Sequence, residues 1–429
     1  MKVAFYSLGC KVNTYETEAV MELFIEKGYE IVGYDSFSDV YIVNSCMVTN
    51  AGEKKSKNII RRPLQINPLA IVIVMGCLSQ MKATEILKIE GVKIVLGTKN
   101  RDRIIVYLEE YIKEGKVLNK VNELEEKEVY DSLAIVDFHH QKRAFLKIQD
   151  GCNNFCTYCI IPYTRGRIRS KTKAVIMDEI TNLVNNGHIE VVLTGIHTGG
   201  YGVDLIDYSF KDLLVDLDEV EGLKRIRISS IEITELTEEI LEVIKKSKTI
   251  VHHLHVPLQS GSDRILELMN RKYTTSEYEA AIKKIRDYLP DASITTDVIV
   301  GFPSETESDF QEVYQFVKKM EFSELHVFPY SRREGTLADK MSYQIDGSTK
   351  KDRVKKLLDL SDELRSDFLK KNIGKHKLVI VEQEKDGFLV GHTKDYLALK
   401  FLGKKSLIGK EVLVKIDNSD KPFALATIV

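Results

Sequence analysis

Three cysteines crowd into the segment Gly151-Cys-Asn-Asn-Phe-Cys-Thr-Tyr-Cys159. Thiolates this close can wrap one metal centre from a single loop, and three of them leave one iron of a 4Fe-4S cluster open to a small molecule. A zinc knuckle is the competing use of such a loop, but zinc takes a fourth ligand and the nearest His is remote. The other three, Cys10, Cys46 and Cys77, are scattered through the first third of the chain. Taken singly, each reads as a small buried hydrophobe. Taken together, each falls just past the end of a predicted strand, and strands of a parallel sheet share one ligand-binding edge. With no secretory features in the chain, six cysteines point to metal or redox chemistry rather than to disulfides.

The elements that must position these residues follow from periodicity. Lys2 to Leu8, Asp39 to Asn44, Ala70 to Met75 and Val92 to Leu96 read as strands. Tyr15 to Lys27 places Val20, Leu23 and Phe24 on one helical side and stops at Gly28. That alternation predicts a Rossmann-like sheet with crossover helices over residues 1–125. A helix and then a charged linker are expected from Glu109 to Asp137.

From Ala144 six further strands are expected: Ala144 to Gln149, Glu190 to Gly195, Arg225 to Ser230, His252 to Leu258, Ser293 to Val300 and Glu324 to Tyr330. Helical patterns separate them, so residues 138–370 read as a partial (β/α)6 barrel, two strands short of closure. A charged helix, Thr349 to Lys371, leads to residues 371–429. There Lys377 to Glu382, Gly387 to His392, Leu397 to Phe401 and Glu411 to Ile416 read as strands of a small all-β barrel. This tail carries eleven Lys, no Arg and seven acidic residues, a formal +4 that favours a polyanion.

The whole chain of 429 residues has a formal charge of -2, so net charge alone says nothing about nucleic acid. No apolar run approaches the ~20 residues of a membrane span, and the first residues enter a strand directly, so no membrane role and a cytoplasmic location are expected.

At Cys152, Cys156 and Cys159 the chain resembles the radical S-adenosylmethionine superfamily, whose signature Cys-x-x-x-Cys-x-aromatic-Cys closes the first strand of a partial barrel; Tyr158 is the aromatic. The resemblance implies that the open iron chelates S-adenosylmethionine and donates the electron that cleaves it to a 5′-deoxyadenosyl radical. Other cofactor-binding candidates lie at later strand ends: Gly195 in Thr194-Gly-Ile-His197, Ser230, Gln259 in Gln259-Ser-Gly261, and Val298 and Gly301 in Asp297-Val-Ile-Val-Gly-Phe-Pro303. Ordinary turns and strand core are the plain alternative for each.

The contexts Ser7-Leu-Gly-Cys-Lys-Val-Asn13, Val43-Asn-Ser-Cys-Met-Val-Thr49 and Val74-Met-Gly-Cys-Leu-Ser-Gln80 narrow the resemblance to the methylthiotransferases. In that family an amino-terminal domain holds a second 4Fe-4S cluster, and the small carboxy-terminal barrel is a TRAM domain. The resemblance implies insertion of sulfur and a methyl group at an unactivated carbon–hydrogen bond. One S-adenosylmethionine methylates a sulfur at the auxiliary cluster, and a second is the radical source. An external electron donor and a sulfur source are implied as partners.

Gly9-Cys-Lys-Val-Asn-Thr-Tyr-Glu16 is similar to the branch that converts N6-threonylcarbamoyladenosine in tRNA to its 2-methylthio form. Sister branches act on isopentenyladenosine in tRNA or on an aspartate of a ribosomal protein; a non-catalytic metal-cluster RNA-binding protein is the alternative from another class. Departures from the family pattern, Met47, Leu78-Ser79, Lys171 and Ser304, spare every cluster ligand. The acid-free run Arg165-Gly-Arg-Ile-Arg-Ser-Lys-Thr-Lys173 offers RNA-binding candidates in Arg165, Arg167, Arg169 and Lys171, or else a solvated helix start. Phe388, Tyr396 and Phe401 are candidates for stacking on exposed RNA, or core.

Overall fold

The computed structural model of the chain describes residues 1–125, 130, 133–138, 142–420 and 423–429. Its first part is a six-stranded parallel sheet ordered Glu30–Val32, Lys2–Ser7, Val40–Ser45, Ile71–Gly76, Val92–Leu96, Leu118–Lys120. The near-continuous Val and Ile runs belong to strands buried on both faces, as parallel sheets require. Two short edge strands, Glu30–Val32 and Leu118–Lys120, were not expected from sequence; each has only three residues, too few for a periodic signal. The expected acidic helix begins earlier, at Ile104, and ends at Glu114 with Gly115 in the left-handed conformation. The linker expected up to Asp137 lies partly outside the described residues.

Helix Lys11–Glu26 is longer than its hydrophobic spacing indicates, and it buries Asn13, Glu16, Thr17, Glu18 and Glu22 as well as Val20 and Phe24. It is clamped between the amino-terminal sheet and the barrel strand Arg143–Lys147, so its polar side faces protein instead of solvent. One hydrophobic core runs through it, from Val3, Val40 and Ile73 to Leu146, Ile180 and Leu193.

The six barrel strands are Arg143–Lys147, Glu190–Thr194, Arg225–Ile228, His253–His255, Ser293–Val300 and Glu324–Pro329. They form two parallel three-stranded sheets. Single bridges Ile226–Ile250 and Ser230–His255 join these sheets into one curved wall. Among the described residues the first and last strands do not pair, so the barrel is open, as expected. Helix Gly347–Lys370, capped by Asp346, packs on the last strand and leads into the tail.

The tail is a closed five-stranded barrel of His376–Lys385, Phe388–Thr393, Ala398–Phe401, Glu411–Asp420 and Phe423–Ile428. The last strand was missed by sequence reading, since it follows a Lys-Pro pair and carries only a short alternation. No helix among the described residues is long and apolar enough to cross a membrane.

Candidate active site

Cys10, Cys46 and Cys77 follow the ends of Lys2–Ser7, Val40–Ser45 and Ile71–Gly76, which are three adjacent strands of the sheet. Their loops are pressed together. Gly9 has φ +106, and a β-carbon there would sit 3.0 Å from both Cβ and Sγ of Cys46, so only glycine allows the approach. Cys46 and Cys77 are buried, while Cys10 is exposed. Burial pushes the Cys46 thiol up to about 11 and raises Cys10; in both the Arg165 guanidinium pulls the other way. Two buried thiols and an exposed one beside a buried cation suit a group that takes them as thiolates.

Arg165 comes from the other cysteine loop. Its Nη2 donates to Asn13 Oδ1 at 2.8 Å, and the Cys10 thiol points to the same oxygen at 3.8 Å. Its Nη1 donates to Glu16 Oε1 at 2.8 Å and Asp150 Oδ1 at 3.1 Å. Glu16, fully buried, also pairs with Arg101 at 2.5 Å and Lys147 at 2.8 Å. Three cations outweigh the cost of burial and hold its carboxyl well below the usual carboxylate range.

This network corrects an expectation. Arg165, Arg169 and Lys171 are buried and paired, Arg169 with Asp150 and Lys171 with Glu179 at 2.6 Å, and so are not surface contacts for RNA. Their partners are supplied by Glu16 of the amino-terminal helix, Asp150 of the strand Gln149–Asp150 and Glu179 of helix Lys173–Asn185, which a local reading of a basic run does not include. Arg167 alone is exposed, lying over the Phe155 ring at 4.5 Å.

Cys152, Cys156 and Cys159 lie on the loop after the first barrel strand, all partly buried. Gly151 has φ +73, and a β-carbon there would come within 1.9 Å of the Arg167 carbonyl oxygen, which folds the loop back on the strand pair Gln149–Asp150 and Arg169–Ser170. The Asn154 N–H donates to Cys152 Sγ at 3.5 Å, and Arg271 Nη1 donates to Cys156 Sγ at 3.3 Å. Burial pushes Cys159 up to about 12. Across the loop His197 faces Cys152 and lies 2.5 Å from Glu235; burial opposes its charge, but these two partners prevail and raise it to about 10. Cationic groups around three thiols fit an anionic iron-sulfur cluster.

The remaining candidates sit along the strand ends. Tyr158 packs against the buried cluster that includes Ile265, Met269 and Phe302. Gly195 lies against Gln149, whose Oε1 accepts from His197 N–H at 2.8 Å. Ser230 is exposed at its bridge to His255. Gln259, at φ +65, donates its N–H to the Asp297 carbonyl at 2.8 Å, and Gly301 N–H donates to Glu305 Oε1 at 2.8 Å. Val298 is corrected: it is fully buried in the core beneath the helices, and its neighbours Asp297 and Ile299 are the partly exposed residues of that strand. A strand alternates faces, so the apolar run alone could not say which residue looks inward.

Arg271, Glu232 and His197 were not singled out from sequence. Arg271 and Glu232 form a partly buried ion pair beside Cys156; neither stands at a diagnostic spacing. Asn13 and Glu16 did carry a signal, three residues apart on one helix face after Cys10.

The floor of the barrel is closed by the tail. The Tyr396 ring stacks between His253 at 4.6 Å and His392 at 4.7 Å, with Arg227 at 4.8 Å and Arg143 at 5.4 Å on its faces. Arg225 donates to Glu411 Oε1 and to the carbonyls of His392 and Leu378. Tyr396 is therefore a docking residue and Phe401 is core; Phe388 is half-buried under Lys400.

Residues 146–317 match the Radical SAM superfamily, and residues 2–97 match the uncharacterized protein family UPF0004. The fold is similar to that of the radical S-adenosylmethionine methyltransferase TsrM from Kitasatospora setae, with TM-score 0.58, 14% identity and coverage of 79% of this chain and 77% of that one. Over 98% of its length the chain is 46% identical to a threonylcarbamoyladenosine tRNA methylthiotransferase of Bacillus subtilis, covering 95% of that protein. It is 41% identical over 97% of its length to a relative of the same name in Aquifex aeolicus, covering all of it. A tRNA-2-methylthio-N(6)-dimethylallyladenosine synthase of Clostridium tetani is 37% identical over 95% of this chain and 92% of its own. Full-length likeness at this level, on a partial barrel whose first loop presents the three thiols, leaves one assignment: the chain belongs to the radical S-adenosylmethionine tRNA methylthiotransferases.

Proposed function

We propose that the enzyme converts N6-threonylcarbamoyladenosine at position 37 of tRNA to its 2-methylthio derivative, using two S-adenosylmethionine molecules per turnover. The observation that carries a two-centre mechanism is the Arg165–Asn13 bond, which ties the radical loop to the loop of Cys10 across the domain boundary. Cys152, Cys156 and Cys159 would hold the 4Fe-4S cluster that binds S-adenosylmethionine, and Cys10, Cys46 and Cys77 a second one. When bound, the first supplies the electron for cofactor cleavage and the second the site of sulfur delivery.

The chain's own residues do the rest. Tyr158, Gly195, Ser230, Gln259 and Gly301 line the strand ends where the cofactor would lie, Gln259 holding its strand to Val298 through paired backbone bonds. Arg271 donates to Cys156 and steadies that corner of the loop. Tyr396, wedged into the barrel floor, keeps water out of the chamber from below, which protects a carbon radical. Threonylcarbamoyladenosine is favoured over the dimethylallyl nucleoside by the higher identity to relatives named for it. The cytoplasm, which holds tRNA, an electron donor and a sulfur source, is the location this reading requires.

The test is direct. Reconstituted enzyme is given S-adenosylmethionine, a reductant and anticodon stem-loop RNA bearing either nucleoside, and the 2-methylthio products are measured by mass spectrometry. Product on the threonylcarbamoyl RNA supports the reading; product only on the dimethylallyl RNA overturns it.

A further inference from the structure

The last barrel strand, Glu324–Pro329, does not pair with the first among the described residues, yet the segment after it reaches the loop after the first. The Ala338 N–H donates to the Thr157 carbonyl at 2.8 Å, between Cys156 and Cys159. A β-carbon on Gly335 would stand 4.0 Å from Ile160, the next residue of that loop. The same segment grips the loop of Cys46. Arg333 Nη1 donates to the Met47 carbonyl at 3.0 Å, one residue past that cysteine, and Ser331 Oγ accepts from the Asn50 N–H at 3.0 Å. Residues 331–338 therefore hold both cysteine loops at once.

Arg333 is the rigid part of this strap. It is only 4% exposed. Its Nε donates to the Arg332 carbonyl at 2.7 Å, and its own carbonyl accepts from the Thr336 N–H at 3.1 Å and Thr336 Oγ1 at 2.7 Å, so side chain and turn are fixed together. Nη1 also donates to Glu53 at 3.2 Å, and Glu53 pairs with Lys82 on the helix that begins at Cys77. Arg165 ties the loop of Cys10 to the radical loop elsewhere. The two arginines differ in what their loss leaves behind. Without Arg333, Glu53 still has Lys57 and Lys82, so no carboxylate is stranded and the fold should survive.

We propose that Arg333 is a positioning residue that couples the two cysteine sites: it keeps the loop of Cys46 in register with the radical loop, so that each radical cleavage of S-adenosylmethionine ends in methylthiolation. The proposal rests on the two-centre reading above and names what holds the centres in step. Two groups that must act on one substrate atom need a fixed separation, and a misplacement of ~1 Å can cost about a hundredfold. A packing role alone would lower every activity together. A coupling role spares cofactor cleavage, which needs the radical loop, and loses the product.

The experiment uses full-length reconstituted enzyme and stem-loop RNA bearing threonylcarbamoyladenosine. Wild type is compared with Arg333→Ala, Arg333→Lys and, as a control on the same segment, Arg332→Ala; Arg332 is exposed and pairs with Asp339. Iron is counted, 5′-deoxyadenosine and 2-methylthio nucleoside are quantified by mass spectrometry, and hydrogen exchange is followed on the same samples. Arg333→Ala should form 5′-deoxyadenosine within about twofold of wild type, while the ratio of 5′-deoxyadenosine to methylthio product rises about tenfold or more. Residues 46–53 should exchange faster, and residues 152–160 should keep their protection. Arg333→Lys should recover part of the coupling, since an ammonium can reach the same acceptors without the guanidinium's fixed fork. Arg332→Ala should match wild type. An unchanged ratio in Arg333→Ala overturns the proposal, and so does an equal fall of both products, the mark of a packing role. If Arg333→Ala loses iron, Arg333→Lys decides: a ratio above wild type supports coupling and an unchanged one overturns it. If wild type makes no methylthio product on this RNA, the reaction assigned above falls and exchange alone judges Arg333. Residues 46–53 as protected in Arg333→Ala as in wild type would then end its role.

Discussion

Arg165 and Asn13, 152 positions apart, share a buried hydrogen bond of 2.8 Å. Asn13 spends its amide on the carbonyls of Leu8 at 2.6 Å and Ser45 at 3.3 Å, so the same side chain pins the loops of Cys10 and Cys46 and receives the radical loop's arginine. One guanidinium thus sets the position of one cysteine triad relative to the other.

Arg165→Ala should destabilise the protein by about 3 kcal/mol or more, because it strands the buried carboxylates of Glu16 and Asp150 short of a partner. Arg165→Lys should recover only part, since an ammonium cannot fork between Asn13 and two acids. Urea denaturation checks both; a wild-type midpoint for the alanine variant would show the network to be inert.

Tyr396→Ala removes the ring stacked between His253 and His392, and a cost of about 3 kcal/mol is expected for an aromatic truncated in a packed site. The loss should be local. Hydrogen exchange should speed up in the tail strands and at the barrel floor, while the amino-terminal sheet keeps its protection.

Glu53 pairs with Lys57 on its own helix Asn50–Arg61 at 2.8 Å and links that helix to Lys82 at 2.9 Å and Arg333 at 3.2 Å. Burial alone would raise its carboxyl, but Lys57 and Lys82 outweigh that and hold it at about 2, below its ordinary 4.5. A depressed carboxyl stabilises the fold above the unfolded value and loses that contribution as pH falls through the folded one. Glu53→Gln should therefore be less stable than wild type at neutral pH, with the gap closing between pH 4.5 and 2. A gap that stays constant across that range would remove the ion pairs from the explanation.

The six barrel strands were legible because short β-branched runs alternate with helical spacing, and the two cysteine sets because their strand-end positions survive folding unchanged. The fate of the basic run was not. Arg165 and Lys171 find their acids at Glu16 and Glu179, and only the tertiary fold brings Glu16 there. Tyr396 likewise gave no sign that it would dock; with Arg225 donating to three groups of the tail, deleting the tail would strand a buried guanidinium and open the floor of the barrel. Ser304, where the resemblance implies glycine, has a φ of +67, in the left-handed region that glycine enters freely.

The two cysteine triads should separate by function. Cys156→Ala removes a thiol from the loop proposed to bind S-adenosylmethionine, and with it the acceptor of the Arg271 bond. Neither 5′-deoxyadenosine nor methylthiolated nucleoside should form. Cys46→Ala leaves that loop intact and empties a position packed against Gly9. It should still cleave S-adenosylmethionine with a strong reductant, yet make no 2-methylthio product. Iron separates the same variants: roughly eight per chain in wild type and roughly four in either variant, if each triad holds its own 4Fe-4S cluster. Wild type near four would leave only one cluster. Circular dichroism must show both variants folded, since loss of product alone has trivial causes. A folded Cys46→Ala enzyme that methylthiolates at the normal rate would show that sulfur does not pass through the amino-terminal triad.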